Sequence, residues 1–317
     1  MSATHLRVAS QLGPKLDDAV IARVPDVEII AIPRGIPSAV PAEADALFAA
    51  PIHGLQRCGI PRPEHWPRRL RWVQLISAGA DGYPSWIFDG PVVTCARGPS
   101  ASPIAEYVIG AVFAAAKRFP DQFVRRREDW RQASLARVAG STLGIVGFGA
   151  IGQAIARKAL ALDLSVVALR RSDTPLGIAG VDRAADIAEL LARSDHLVLA
   201  APATDATRNL INRGSLSAAK PGLHLINIAR GTLVETEAII PALEQGLLSR
   251  VTLDTTEPEP LPAGHPLYSH PGAFLTPHSA MSTPEVIGRL ADKLAENLHR
   301  FRDGIDLADV VDPARGY

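Results

Sequence analysis

Leu143-Gly144-Ile145-Val146-Gly147-Phe148-Gly149-Ala150-Ile151-Gly152 is the stretch that decides the fold. An apolar strand runs straight into G-x-G-x-x-G. A helical segment, Gln153 to Leu162, follows, and a second apolar strand, Ser165 to Leu169, comes close behind. In that setting each glycine has its own physical reason. Gly147 permits a tight turn, Gly149 lets the backbone approach a pyrophosphate, and Gly152 lets the helix pack close to the strand. Phe148, Ala150 and Ile151 complete the loop, and the first-turn N–H groups of the helix favour phosphate charge. The stretch predicts a βαβ unit that binds a dinucleotide. An ordinary glycine-rich turn is the plainer reading, and the agreement of three glycines with both flanks tells against it.

Outward from this unit, short strand candidates recur at helix-length intervals. Before it stand Leu6–Ala9, Val27–Ala31, Ala46–Ala49, Trp72–Ile76 and Val92–Cys95. After it stand Leu197–Ala200, Leu223–Ile228, Val251–Leu253 and Phe274–Thr276. Such alternation predicts parallel α/β sheets. Residues Pro103 to Arg118 read as one strong helix, with Ser102 as N-cap, Pro103 at the first position and Pro120 as the stop. A charged connector, Asp121 to Gly140, follows, and Glu285 to Arg302 reads as a long amphipathic helix.

With 317 residues, two domains are the better expectation. The 33 basic and 33 acidic residues cancel, which argues against nucleic acid or an anionic membrane as the main partner. Arg125-Arg126-Arg127 is the densest basic run, but Glu128 and Asp129 follow at once, as on a solvated face. The two cysteines, Cys58 and Cys95, make neither a disulfide framework nor a metal pattern. The N-terminus lacks a signal-peptide pattern, and Tyr107 to Ala116 is too short an apolar run to span a bilayer. A cytoplasmic protein is the expectation.

Three polar residues sit where strands of the second half end. Arg230 follows Ile226-Asn227-Ile228-Ala229, Glu259 lies within Glu257-Pro258-Glu259-Pro260, and His278 follows Leu275-Thr276-Pro277. Ligands of open α/β sheets lie beyond the carboxyl ends of the strands, so all three should face one crevice. Each also has a plainer reading: a surface arginine, a solvated loop carboxylate, a capping or core histidine. His265 and His270 with His278 fit no common zinc spacing, so no metal site is expected.

Taken together, several segments resemble the D-isomer-specific 2-hydroxyacid dehydrogenase family. They are Ser77-Ala78-Gly79-Ala80-Asp81, Gly147 to Gly152, Ala201-Pro202-Ala203-Thr204 with Thr207, Asn227 to Gly231, Asp254 to Pro262, and Thr276-Pro277-His278-Ser279-Ala280. The likeness is ordered from about Leu70 to Leu298; before it only the strand rhythm matches.

The resemblance implies a Rossmann-type doubly wound sheet plus a flavodoxin-like substrate domain, with the active site in the cleft between them. Residues 1–98 and 284–317 would form the substrate domain and residues 99–283 the dinucleotide-binding domain. A homodimer through the nucleotide-binding domain is also implied, with Trp130 in a plausible contact region. Arg230 would pair with the substrate carboxylate and polarise the 2-keto oxygen, for which a planar, permanently charged guanidinium is suited. His278 would exchange a proton with the substrate oxygen, as a residue titrating near neutrality can. Glu259 would hydrogen-bond the imidazole and fix its orientation. The loop Ala78, Gly79, Ala80 would hold the substrate carboxylate. Pro202, Thr207, Ala229, Arg230, Asp254, His278 and Ala280 would line the cofactor, with Asp254 toward the nicotinamide carboxamide.

The pattern departs at the end of the second strand. Where a NAD-type fold usually carries an acid for the ribose 2′-OH, this chain has Arg170-Arg171-Ser172, and Asp173 stands past that point. A 2′-phosphate carries nearly two negative charges, so NADP(H) is expected over NAD(H). Thr255 replaces the usual valine after the aspartate. The loop Ala50-Pro51-Ile52-His53-Gly54 should line the substrate pocket and has no cationic cluster, which disfavours a phosphorylated substrate; small 2-keto acids such as glyoxylate and hydroxypyruvate are expected. The rival expectations are a formate- or phosphite-type dehydrogenase on the same scaffold, and a non-enzymatic dinucleotide-sensing regulator. Oxidation without keto-acid reduction would mark the first, and cofactor binding without turnover the second.

Overall fold

The computed structural model describes residues 6–52, 60–119 and 121–315. The chain divides into two compact units, Met1–Ser100 with Thr283–Tyr317, and Ala101–Ser282. His53, Gly54, Cys58 and Pro120, named above, lie outside the described residues.

In unit 1 the chain runs β1 (Leu6–Ser10), α1 (Pro14–Ile21), β2 (Val27–Ala31), β3 (Ala46–Ala49), β4 (Trp72–Leu75) and β5 (Val92–Thr94). All pairings are parallel, in the order β2-β1-β3-β4-β5. That is the flavodoxin-like order, which reverses between β1 and β3. Every residue of β3 and β4 is buried, as expected of parallel strands covered on both faces.

Unit 2 contains α2 (Ala101–Ala116), β6 (Thr142–Val146), α3 (Ala150–Leu160), β7 (Ser165–Leu169), β8 (Val181–Arg183), α4 (Ile187–Arg193) and β9 (His196–Leu199). It continues through α5 (Arg213–Leu216), β10 (Leu223–Asn227), α6 (Thr236–Glu244), β11 (Leu248–Leu253) and β12 (Ala273–Leu275). The seven strands lie in the order β12-β11-β10-β9-β6-β7-β8, all parallel. This is the Rossmann order, with its switch point between β6 and β9. Alternation along each strand feeds two cores. Leu197, Leu225 and Leu253 pack with Leu190 and Ile239 on one face. Val166, Val198 and Ile226 pack with Val108, Val112 and Ile155 on the other.

The chain then returns to unit 1 as α7 (Glu285–Arg302). Its buried stripe, Val286, Leu290, Leu294 and Leu298, packs with Val8, Phe48 and Trp72. Within that packing, Asn297 Nδ2 and Thr94 Oγ1 both donate to Gln74 Oε1 at 2.9 Å, and Trp72 Nε1 donates to Thr94 Oγ1 at 2.8 Å. The apolar stripe is thereby registered by buried polar groups that satisfy one another.

The first long helix differs from its sequence reading. It begins at Ala101, so Ser102 lies inside it rather than capping it, and Ser102 Oγ donates to Glu106 Oε1 one turn on. Pro103 is accommodated because first-turn N–H groups have no intrahelical acceptor. The helix stops before Arg118, whose φ is 55°. Arg118 N–H bonds Ala115 O and Phe119 N–H bonds Ala114 O, a Schellman closure without glycine. Similarly, α3 starts at Ala150, inside the glycine motif, not at Gln153.

Candidate functional site

In unit 2 the candidate residues fall just beyond the C-terminal ends of six adjacent strands. Gly147 to Gly152 follow β6, Arg170 to Ser172 follow β7, and Pro202 with Thr207 follow β9. Ala229 and Arg230 follow β10, Asp254 follows β11, and His278 with Ala280 follow β12. Ala78, Gly79 and Ala80 follow β4 in unit 1.

The glycine loop is shaped by contacts that exclude side chains. Gly147 has φ 92°, and a Cβ there would lie 2.7 Å from the Ala200 carbonyl oxygen. A Cβ at Gly152 would overlap the carbonyl oxygen of Gly147. At Gly149, the N-cap of α3, a Cβ would meet nothing within 4 Å, and no side chain caps that helix. The backbone is bare there, at a helix N-terminus, where a pyrophosphate could approach. The residues present thus fit a dinucleotide.

The hydroxyl of Thr207 is spent on its own loop: it accepts from Thr204 N–H at 2.8 Å and donates to Pro202 O at 2.7 Å. After β7, Arg170 Nη1 approaches Pro175 O at 3.5 Å.

Arg230 sits on a backbone pinned from both sides by buried Asn227. Asn227 Nδ2 donates to Arg230 O at 2.8 Å, and its Oδ1 accepts from Ala229 N–H at 3.0 Å. The guanidinium is half-buried, and its Nη1 donates to Ala229 O at 2.8 Å. Gly231 abuts the backbone of Thr256 and Glu257 so closely that any Cβ would overlap it. This contact seats the arginine loop on the loop carrying Glu259. His278 Nδ1 lies 2.8 Å from Glu259 Oε1. With Nδ1–H donated to the carboxylate, Nε2 is left to face a reactant.

Asp254 organises the histidine loop. Its Oδ1 accepts from Ser279 N–H at 2.8 Å and from Thr276 Oγ1 at 2.6 Å, and its Oδ2 accepts from Ala280 N–H at 3.0 Å. Its backbone oxygen accepts from His278 N–H at 3.0 Å. His278 itself has φ 51°, a left-handed conformation costing an L-residue about 1–2 kcal/mol. The loop closed around Asp254 offsets that cost. Tyr107 Oη, on α2, stands 2.7 Å from Thr276 Oγ1, and burial pushes its phenol up, so it remains a neutral donor to this chain.

On unit 1, Ser77 Oγ donates to Gly79 O at 2.6 Å, and the buried Tyr83 hydroxyl lies 3.0 Å from Ser77 Oγ and 3.3 Å from Ala49 O. Ile52 N–H bonds Gly82 O at 2.9 Å. The loops leaving β3 and β4 are therefore knitted together.

Asn227, Gly231, Thr276 and Tyr107 were not singled out from the sequence for these contacts. Asn227, Gly231 and Thr276 fall inside the family-like segments, and Tyr107 carries no local signal. Among the described residues, no three His, Cys, Asp or Glu side chains gather as a metal site, and no helix is long and apolar enough to cross a membrane.

Residues 109–280 match the profile of the D-isomer specific 2-hydroxyacid dehydrogenase, NAD binding domain. The chain is 32% identical over 262 residues to glyoxylate/hydroxypyruvate reductase A of Serratia proteamaculans (strain 568), covering 78% of this chain and 82% of that protein. It is 33% identical over 241 residues to the glyoxylate reductase of Thermofilum pendens (strain DSM 2475 / Hrk 5), covering 72% and 71%. Among solved structures it resembles the D-isomer specific 2-hydroxyacid dehydrogenase of Xanthobacter autotrophicus Py2 in complex with NADPH and MES. That likeness has a TM-score of 0.82 at 26% identity, over 99% of this chain and 100% of the other.

Proposed function

Because this chain belongs to the D-isomer specific 2-hydroxyacid dehydrogenase family, enzymes that act on the CH–OH group of small hydroxy acids with a nicotinamide cofactor, we propose that it is a reductase of glyoxylate or hydroxypyruvate that prefers NADPH. Three things support the finer part of this reading. The Serratia relative is a glyoxylate/hydroxypyruvate reductase. The Xanthobacter structure holds NADPH. Arg170 and Arg171 stand where a NAD-type fold usually has an acid.

The observation that carries the chemistry is the 2.8 Å contact between His278 Nδ1 and Glu259 Oε1. In this reading the bound nicotinamide supplies the hydride. Arg230 attracts the substrate carboxylate and polarises the keto oxygen, stabilising the negative charge that develops there. His278, oriented by Glu259, gives a proton from Nε2 to that oxygen, and takes it back when the reaction runs in reverse. Asp254 keeps the His278 loop in place. The Ala78–Gly79–Ala80 loop is assigned to the substrate carboxylate. Unit 2 is assigned as the dinucleotide-binding domain and unit 1 as the substrate domain.

The reading extends to a cytoplasmic homodimer. Trp130 is 81% exposed and Phe123 56% exposed in the 121–140 connector, and side chains of that size favour a covering partner.

The test is initial rates with glyoxylate and hydroxypyruvate, each with NADPH and NADH, beside His278→Ala. Turnover that favours NADPH and is lost in the variant is expected. Turnover favouring NADH would overturn the cofactor assignment and leave the reaction. No turnover of either acid, with cofactor bound, would overturn the substrate assignment.

A further inference from the structure

We propose that Arg183 is a positioning residue for NADPH selectivity: it clamps the loop after β7 and so holds the arginines that meet the ribose 2′-phosphate. The inference rests on the NADPH reading above. β8 is the edge strand beside β7, and the register sets Arg183 opposite Ala168, one residue before the end of β7. From there the guanidinium reaches the loop with both terminal nitrogens. Nη1 donates to Ser172 O at 3.0 Å and Nη2 to Thr174 O at 2.5 Å.

Apolar anchoring of this loop begins only at Leu176 and Ile178. Residues 171–175 are all exposed, so no apolar side chain among them anchors it. Ordering a backbone segment costs conformational entropy, and the two bonds from Arg183 provide tertiary restraint. A guanidinium suits the task, because its donors leave in a rigid planar fork. Arg170 leans on the same loop, its Nη1 3.5 Å from Pro175 O. The chain of support therefore runs from Arg183 through residues 172–174 to Pro175 and Arg170. The two clamped carbonyls also flank Asp173, the one acid in the loop, whose charge would repel a phosphate. Holding the backbone on both sides confines it.

Arg183 is exposed, so its replacement should leave the fold intact. The experiment measures Kd for NADPH and for NADH by calorimetric titration without substrate, and kcat/KM with each. It uses the wild type, Arg183→Ala, Arg183→Lys, and Arg193→Ala as a control on α4, an arginine that pairs with Asp182 instead of the loop. The expected result is that both Arg183 variants lose about tenfold in NADPH preference, with NADH affinity held within about twofold and the control unchanged. Equal losses for both cofactors, or no loss, in an enzyme that prefers NADPH would overturn the clamp and leave the cofactor reading standing. Full preference retained in Arg183→Lys would assign the effect to charge instead of the fork, and overturn the clamp as well. A wild type that prefers NADH would refute the cofactor reading, and the clamp with it.

Discussion

His196 and His224 meet ring to ring inside the seven-stranded sheet, Nδ1 to Nδ1 at 3.1 Å. One nitrogen must carry the hydrogen and the other accept it. His224 Nε2 reaches Thr252 Oγ1 at 2.9 Å. Burial holds His196 down to about 4, with Asp195 opposing, and holds His224 well below the ordinary range, with His196 and Arg250 adding to the effect.

Both folded-state values are depressed, so the unfolded chain binds more protons below pH 6.5. Stability from this pair is present above pH 6.5 and is lost as pH falls toward 4. The loss should be on the order of 1 kcal/mol per pH unit for each ring. The wild-type Tm should hold from pH 7.5 to 6.5 and then fall toward pH 5, and it should fall less over that lower range in His196→Gln/His224→Asn. Equal slopes would assign the acid limb to other groups.

Gly149 and Gly152 should respond differently to alanine. Gly149→Ala puts a methyl into open space with no positive φ, so Tm should hold while NADPH affinity drops about tenfold or more, as the backbone can no longer approach the pyrophosphate. Gly152→Ala drives a methyl into the Gly147 carbonyl and should lower Tm by several degrees. Calorimetry on both variants checks the contrast.

Asp254→Asn keeps size but replaces one acceptor with a donor, and every carboxylate bond here is an accepted one. A donor facing the Ser279 or Ala280 N–H would release the His278 loop. The expected outcome is a drop in kcat of about tenfold to a hundredfold, with a smaller change in substrate KM. A change confined to KM would separate Asp254 from the histidine.

Thr255 is 2% exposed, and its hydroxyl has no hydrogen-bond partner. Replacing a buried, unpaired hydroxyl with a methyl of the same shape removes a desolvation cost of about 1 kcal/mol. Thr255→Val should therefore raise Tm by about 1–3 °C at unchanged turnover. A lower Tm would show that the hydroxyl has a partner in solution.

These cases also show where sequence is legible. The turn at Gly147, the strand before it and the amphipathic stripe of α7 were readable because their signals are local: glycine at fixed offsets and apolar residues at a helical period. The start of α2 at Ala101 is not fixed locally in the sequence, because Ser102 and Pro103 are equally compatible with a cap and with a first turn. The wrapping of residues 276–280 around Asp254 joins positions more than twenty apart, and no short-range pattern encodes it. The same holds for Gly231 against Thr256, where the constraint is the backbone of a different strand's loop. Arg230, Glu259 and His278 stand out in the sequence as candidates at strand ends, whereas the contacts that hold them do not.

The return of α7 to unit 1 has a consequence for how the protein is made. The five strands of unit 1 leave the ribosome before unit 2, yet the cluster holding Phe48 and Trp72 lacks the part supplied by residues 286–298 until these arrive, after the whole of unit 2. Unit 2 is contiguous and can close both of its cores once residues through Ala280 have emerged. Maturation thus runs against chain order, the middle before the beginning, and the nascent unit 1 is the stretch that a chaperone would need to shield.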